Sequence, residues 1–152
     1  MTTTTQPGRV LIVDDQLEIL EGMKALLELE GMEVTTHDSV ITLPFIVRQA
    51  NPDVILLDIS LPALSGSALF GAGTKRILRT DASVILFSGR SAQELAMLMK
   101  EFGAHGYLTK SENTTEIIGR VKSWINERRA LRAVTTMEAT HVAPRAASPL
   151  AR

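Results

Sequence analysis

Cysteine is absent from the 152-residue sequence, which excludes disulfides and thiolate metal sites while leaving the compartment open. Also absent is any apolar run near the roughly 20 residues that a membrane helix needs. The Thr-rich start, Met1 to Gly8, has neither the basic residues nor the apolar centre of a secretory signal. These absences predict a soluble, cytoplasmic chain with no membrane partner. Charge of one sign is missing as well: the formal net charge is -1, so the global basic footprint of a nucleic-acid binder is not there. The balance is uneven, since Glu127 to Arg152 carries five Arg against two Glu, or +3, which leaves -4 for the remainder. With no interleaved aromatics, that basic end makes only a weak case for nucleic acid as a partner.

What is present is globular. Hydrophobic residues make up 45% and charged residues 22% of a chain whose length suits one domain. Short apolar runs rich in branched residues alternate with amphipathic stretches, the pattern of βα units around a parallel sheet, and five such units are legible. Arg9 to Val13 gives a first strand whose continuous apolar run suits cover on both faces. Leu20, Met23 and Leu27 then recur at helical spacing until Gly31 offers a stop. Glu33 to Thr36 is a weaker second strand, followed by a helix with Thr42 as N-cap and Pro44 in its first turn. Val54 to Leu57 is a third, wholly apolar strand, and a third helix is predicted from Ser67 to Arg79, softened by Gly71 and Gly73. Val84 to Phe87 is the fourth strand, and Ser91 with Glu94 forms a capping box for a fourth helix whose stripe is Leu95, Leu98, Met99 and Phe102. Gly106 to Thr109 is the fifth strand, and Asn113 opens a fifth helix with Ile118, Val121 and Ile125 inside. Periodicity stops near Arg129. The predicted organisation is therefore a disordered tract over 1–8, one domain over 9–128 and a mostly disordered basic tail over 129–152, with no second folded domain following.

Open α/β sheets bind ligands at the carboxyl ends of their strands. Asp14 and Asp15 follow the first strand, Asp58 the third, Ser88 the fourth and Lys110 the fifth, so one edge of the sheet collects them all. Three carboxylates brought together repel one another unless cations are supplied, and Lys110 supplies only one. The remaining negative charge suits a divalent cation bound through oxygen, with Mg2+ the natural choice where no Cys or His stands beside the strand ends. A carboxylate beside Mg2+ can act as a nucleophile toward phosphorus. Asp58 is the candidate nucleophile because its strand is the most apolar and central. Asp14 and Asp15 would hold the metal, Lys110 would neutralise phosphoryl oxygens, and the Ser88 hydroxyl would donate to one of them.

Together these residues resemble the receiver domain of two-component response regulators, over about Arg9 to Arg128 and in the manner of the stand-alone chemotaxis regulators. The resemblance rests on Val13-Asp14-Asp15, Leu57-Asp58-Ile59-Ser60-Leu61-Pro62 with Gly66, Phe87-Ser88-Gly89, and Gly103-Ala104 leading to Gly106-Tyr107-Leu108-Thr109-Lys110. Each piece is weak alone, and their order across four strand ends makes the combined signal strong. The resemblance implies a flavodoxin-like doubly wound sheet of order 2-1-3-4-5 with helices on both faces. It further implies Mg2+ held by Asp15, Asp58 and the Ser60 carbonyl, with Asp14 acting partly through water. Asp58 would take phosphate from a sensor histidine kinase or a histidine phosphotransfer protein. Ser88 and Tyr107 would relay the change to the surface of the fourth helix, fifth strand and fifth helix, where an effector protein or a second copy binds. The chain departs from the family pattern at Ser111, where proline usually follows the lysine and the preceding peptide is customarily cis. It departs again at Gly89, which leaves the loop beside Ser88 freer. Ser60 and Arg90 occupy positions that the family varies to set the lifetime of the phosphorylated state.

Each residue also has an ordinary reading. Asp14 and Asp15 suit N-caps of the first helix, Ser88 a cap of the fourth, and Lys110 a solvated surface charge. Tyr107 suits a half-buried packing role, and His37, His105 and His141, far apart in sequence, suit structural or surface roles. Arg128, Arg129 and Arg132 read most simply as a solvated helix end. Two rival functions remain: a receiver-like scaffold that is never phosphorylated, and an aspartyl-nucleophile phosphatase. The second usually requires an aspartate two residues after the nucleophile, where this chain has Ser60.

Overall fold

A computed structural model describes residues 5–61 and 78–141. Five parallel strands, β1 (Arg9–Val13), β2 (Glu33–His37), β3 (Val54–Leu57), β4 (Ser83–Ser88) and β5 (Gly106–Thr109), form one sheet in the order β2-β1-β3-β4-β5. Four helices are described: α1 (Leu17–Leu29), α2 (Leu43–Ala50), α3 (Ala92–Phe102) and α4 (Thr114–His141). The last two are the fourth and fifth helices read from the sequence. The predicted third helix, Ser67 to Arg79, lies almost wholly outside the described residues.

Alternation along β1 sorts the core into two layers. Val10 and Ile12 pack with Leu20, Met23 and Leu27 of α1 and with Ile117, Val121 and Ile125 of α4, while Leu11 and Val13 pack with Leu43 and Val47 of α2. The sheet is thus doubly covered, which is why β3 and β4 are buried at every position. Each aliphatic side chain so buried contributes roughly 1.5–3 kcal/mol. Ile117 rather than Ile118 turns out to be the first inner residue of α4; Ile118 is partly buried beside it.

Local chemistry explains the helix ends. Ser91 and Glu94 make both bonds of the capping box on α3, and the Glu116 N–H donates to Asn113 Oδ1 at 2.9 Å at the start of α4. Gly31, at φ +83°, ends the turn after α1 in a conformation that favours glycine. Thr42 occupies the N-cap position of α2 without capping it by side chain, because its hydroxyl is 2.8 Å from His37 Nε2.

The basic end of the chain corrects the sequence reading. α4 continues as helix through His141, past Arg129 where the apolar periodicity stops. The arginines read as a solvated helix end are anchored: Arg129 donates to the Gln6 and Pro7 carbonyls at 2.6 Å and to Asp53, and Arg132 donates to Asp53, to Asp81 and to the Pro52 carbonyl. Arg128 reaches the Ser83 hydroxyl at 3.4 Å. Ion pairs to the body, rather than an apolar stripe, hold α4 in place as far as Arg132, and the helix-favouring Ala130, Leu131 and Ala133 suit the helical backbone around it. Residues 142–152 lie outside the described residues.

Candidate functional site

Asp58 immediately follows β3, and its N–H continues the sheet by donating to the Val13 carbonyl at 2.9 Å. The fully buried strand behind it fixes the side chain, which is 2% exposed. Its Oδ1 accepts the Ser60 N–H at 2.9 Å and its Oδ2 accepts from Lys110 Nζ at 3.1 Å. Asp14 follows β1 in the same way, its N–H bonded to the His37 carbonyl, and is wholly buried. Asp14 Oδ1 accepts the Gln16 N–H at 2.9 Å, and Oδ2 lies 2.6 Å from Lys110 Nζ. The N-cap of α1 is Gln16, without a side-chain cap, so neither aspartate serves as the helix cap that an ordinary reading would assign. Asp15 is exposed at the rim.

One carboxylate oxygen from each of Asp14, Asp15 and Asp58 lies within 4.8 Å of the others. Lys110 enters this cluster from the end of β5, where its N–H donates to the Ser88 carbonyl at 2.8 Å. Burial disfavours its ammonium, but hydrogen bonds to Asp14 and Asp58 and their negative charge outweigh that effect, so its pKa is raised above the ordinary 10.5. One ammonium against three carboxylates leaves an excess of hard, anionic oxygen donors. That donor set fits a divalent cation of the Mg2+ type.

Ser88 ends β4 and is fully buried. It does not cap α3, a role that Ser91 fills; its hydroxyl lies 3.2 Å from Ser60 Oγ and accepts the Arg90 N–H at 3.3 Å. Tyr107 is half-buried on β5 among Leu95, Leu98, Met99 and Phe102, and the Arg120 guanidinium lies 5.7 Å from its ring centre. The Lys110–Ser111 peptide is trans. His105 is structural: its Nδ1 accepts the Val84 N–H at 3.0 Å. Asp14, Asp15, Asp58, Ser60, Ser88 and Lys110 therefore gather at one sheet edge, while Tyr107 lies on β5 and packs against Leu86 and Leu95.

Two residues escaped sequence reading. Asp53 is buried just before β3 and holds Arg129 and Arg132; its only sequence signal is a carboxylate directly ahead of an unbroken apolar strand. Arg120 lies over both Tyr107 and Trp124 and pairs with Glu112, which in turn accepts the Thr109 N–H. Nothing in a lone arginine on a helix marks such a position.

The family model of the response regulator receiver domain matches residues 10–122. The chain belongs to that family. Receiver domains of this family are signalling components of two-component systems. The transcriptional regulatory protein PrrA of Mycobacterium leprae is 33% identical over 144 residues, covering 95% of this chain and 60% of PrrA. The transcriptional regulatory protein KdpE of Staphylococcus aureus is 31% identical over 115 residues, covering 76% of this chain and 48% of KdpE. The chain thus spans about half to three-fifths of the length of these relatives. Among solved structures, a CheY-like receiver domain protein from Methanospirillum hungatei superposes with a TM-score of 0.69 at 27% identity, covering 82% of this chain and 98% of the other. No helix among the described residues is long and apolar enough to cross a membrane.

Proposed function

We propose that the domain is a phosphorylation-activated switch in which Asp58 accepts a phosphoryl group. The observation that carries this reading is the placement of Asp58: buried at the end of the central strand, sharing Lys110 with Asp14, and grouped with Asp15 in an oxygen-only cluster. Asp15, Asp58 and the Ser60 carbonyl would hold Mg2+, with Asp14 assisting, and the bound cation would shield the negative charge that otherwise repels an incoming phosphate. An Asp58 carboxylate oxygen forms the new bond to phosphorus as the bond from phosphorus to the donor's leaving atom breaks. The product is an acyl phosphate on Asp58.

Lys110 offsets phosphoryl charge, and the Ser88 hydroxyl supplies one hydrogen bond to a phosphoryl oxygen. Tyr107 then follows into the space that Ser88 leaves, altering the surface of α3, β5 and α4. The donor is a sensor histidine kinase or a histidine phosphotransfer protein. An effector protein, or a second copy of the chain, reads the altered surface. The domain catalyses only its own phosphorylation and dephosphorylation. A phosphohistidine-bearing donor carrying labelled phosphate tests the reading: label moves to the wild-type chain and not to Asp58→Asn. Equal labelling of both proteins would refute it.

A further inference from the structure

Ser60 bonds to the side chains of both Asp58 and Ser88, and it uses a different atom for each. Its N–H donates to Asp58 Oδ1 at 2.9 Å, while its Oγ lies 3.2 Å from Ser88 Oγ. The direction of the hydroxyl pair follows from burial. Ser88 is wholly buried, its oxygen already accepts the Arg90 N–H, and among the described residues Ser60 Oγ is its one acceptor. Ser60 is exposed and can turn its own proton to water. Ser88 therefore donates and Ser60 accepts, since a buried hydroxyl proton without an acceptor is costly.

We infer that the Ser60 hydroxyl is a latch that holds the Ser88 side chain in its resting rotamer. Resting on the reading of Asp58 as phosphoacceptor, the latch gives Ser60 a positioning role before any phosphate arrives. Ser88 cannot donate to a group on Asp58 and to Ser60 at once, because a hydroxyl carries a single proton. A neutral hydroxyl is the weaker acceptor and an anionic phosphoryl oxygen the stronger, so the latch yields to phosphorylation and opposes spontaneous reorientation. Its backbone bond to Asp58 Oδ1 keeps Ser60 in register with the acceptor, so the latch sits at a fixed place relative to the reacting carboxylate.

The rotamer of Ser88 in the unphosphorylated full chain tests this, read from the Hα–Hβ scalar couplings of Ser88 and from the exchange rate of the Arg90 amide proton. Wild type is expected to show a single staggered rotamer. Ser60→Ala is expected to show averaged couplings, with alternative rotamers gaining about 2–10-fold in population, the weight of one neutral hydrogen bond. Ser60→Thr, which retains the hydroxyl, restores the wild-type couplings. A structural role for Ser60 alone would change the melting temperature and leave the couplings single-valued. Unchanged couplings in Ser60→Ala, or averaged couplings in Ser60→Thr, overturn the latch. No phosphodonor enters this comparison, so the latch and the phosphoacceptor reading fail separately.

Discussion

The Arg129 guanidinium lies 3.1 Å from the Asp53 carboxylate, joining the far part of α4 to the turn that enters the strand bearing Asp58. Asp53 also accepts the Arg9 N–H at 2.9 Å and pairs with Arg132, so one buried carboxylate ties together the first strand, the third strand and the last helix. Asp53→Ala leaves two arginines without their shared partner. Because those arginines keep some access to water, the expected loss is about 2–4 kcal/mol, below the roughly 3–5 kcal/mol of a fully buried pair. Urea unfolding measures it, and hydrogen exchange should show amide protection falling first between Arg129 and His141.

Lys110 lies 2.6 Å from Asp14 and 3.1 Å from Asp58. Lys110→Met leaves two buried carboxylates facing each other without a cation. In metal-free buffer this variant should melt below wild type, and added Mg2+ should raise its melting temperature by more than it raises that of wild type, as a second cation takes up the charge. An equal Mg2+ response in both proteins would count against Mg2+ binding at this cluster.

Stability against pH carries the same signature on the alkaline side. The Lys110 pKa is raised in the folded state, burial opposing and the hydrogen bonds and charge of Asp14 and Asp58 prevailing. Its contribution is full below the ordinary 10.5 and is lost as pH rises through the higher folded value. On the acid side the Arg132 hydrogen bond holds Asp81 below 3.8 despite some burial, so its contribution is present above 3.8 and is lost as pH falls through the lower folded value. Urea midpoints across pH, measured without metal, should show the alkaline loss in wild type and not in Lys110→Met.

Gly106 has no room for a side chain. A Cβ placed there would lie 2.6 Å from Trp124 Cζ2. Gly106→Ala should therefore displace Trp124, cost about 1–3 kcal/mol by overpacking, and shift the emission of the chain's single tryptophan. Trp124 also stacks under Arg120, 4.9 Å from the ring centre, so its emission should respond to Arg120→Met as well.

Unbroken apolar runs made the strands legible because doubly covered strands such as Val54–Leu57 have to be apolar at every position. The candidate site was legible for a related reason: a parallel sheet sends the residue after each strand to the same edge, so Asp14, Asp58 and Lys110 meet whatever lies between them. Polar order without periodicity stayed hidden. Arg129 and Arg132 look solvated until Asp53 and Asp81 are placed opposite them, and no spacing rule links residues so distant in sequence. The hydroxyl pair of Ser60 and Ser88 was hidden for the same reason, since each serine alone suits a loop or a cap.

The measurement that bears most directly on the central claim is the intact mass of the chain after incubation with acetyl phosphate and Mg2+. Wild type should gain one phosphate-sized increment, lost on omission of Mg2+, while Asp58→Asn should gain none. An increment on Asp58→Asn, or none on wild type, would contradict the assignment of Asp58 as the phosphoacceptor.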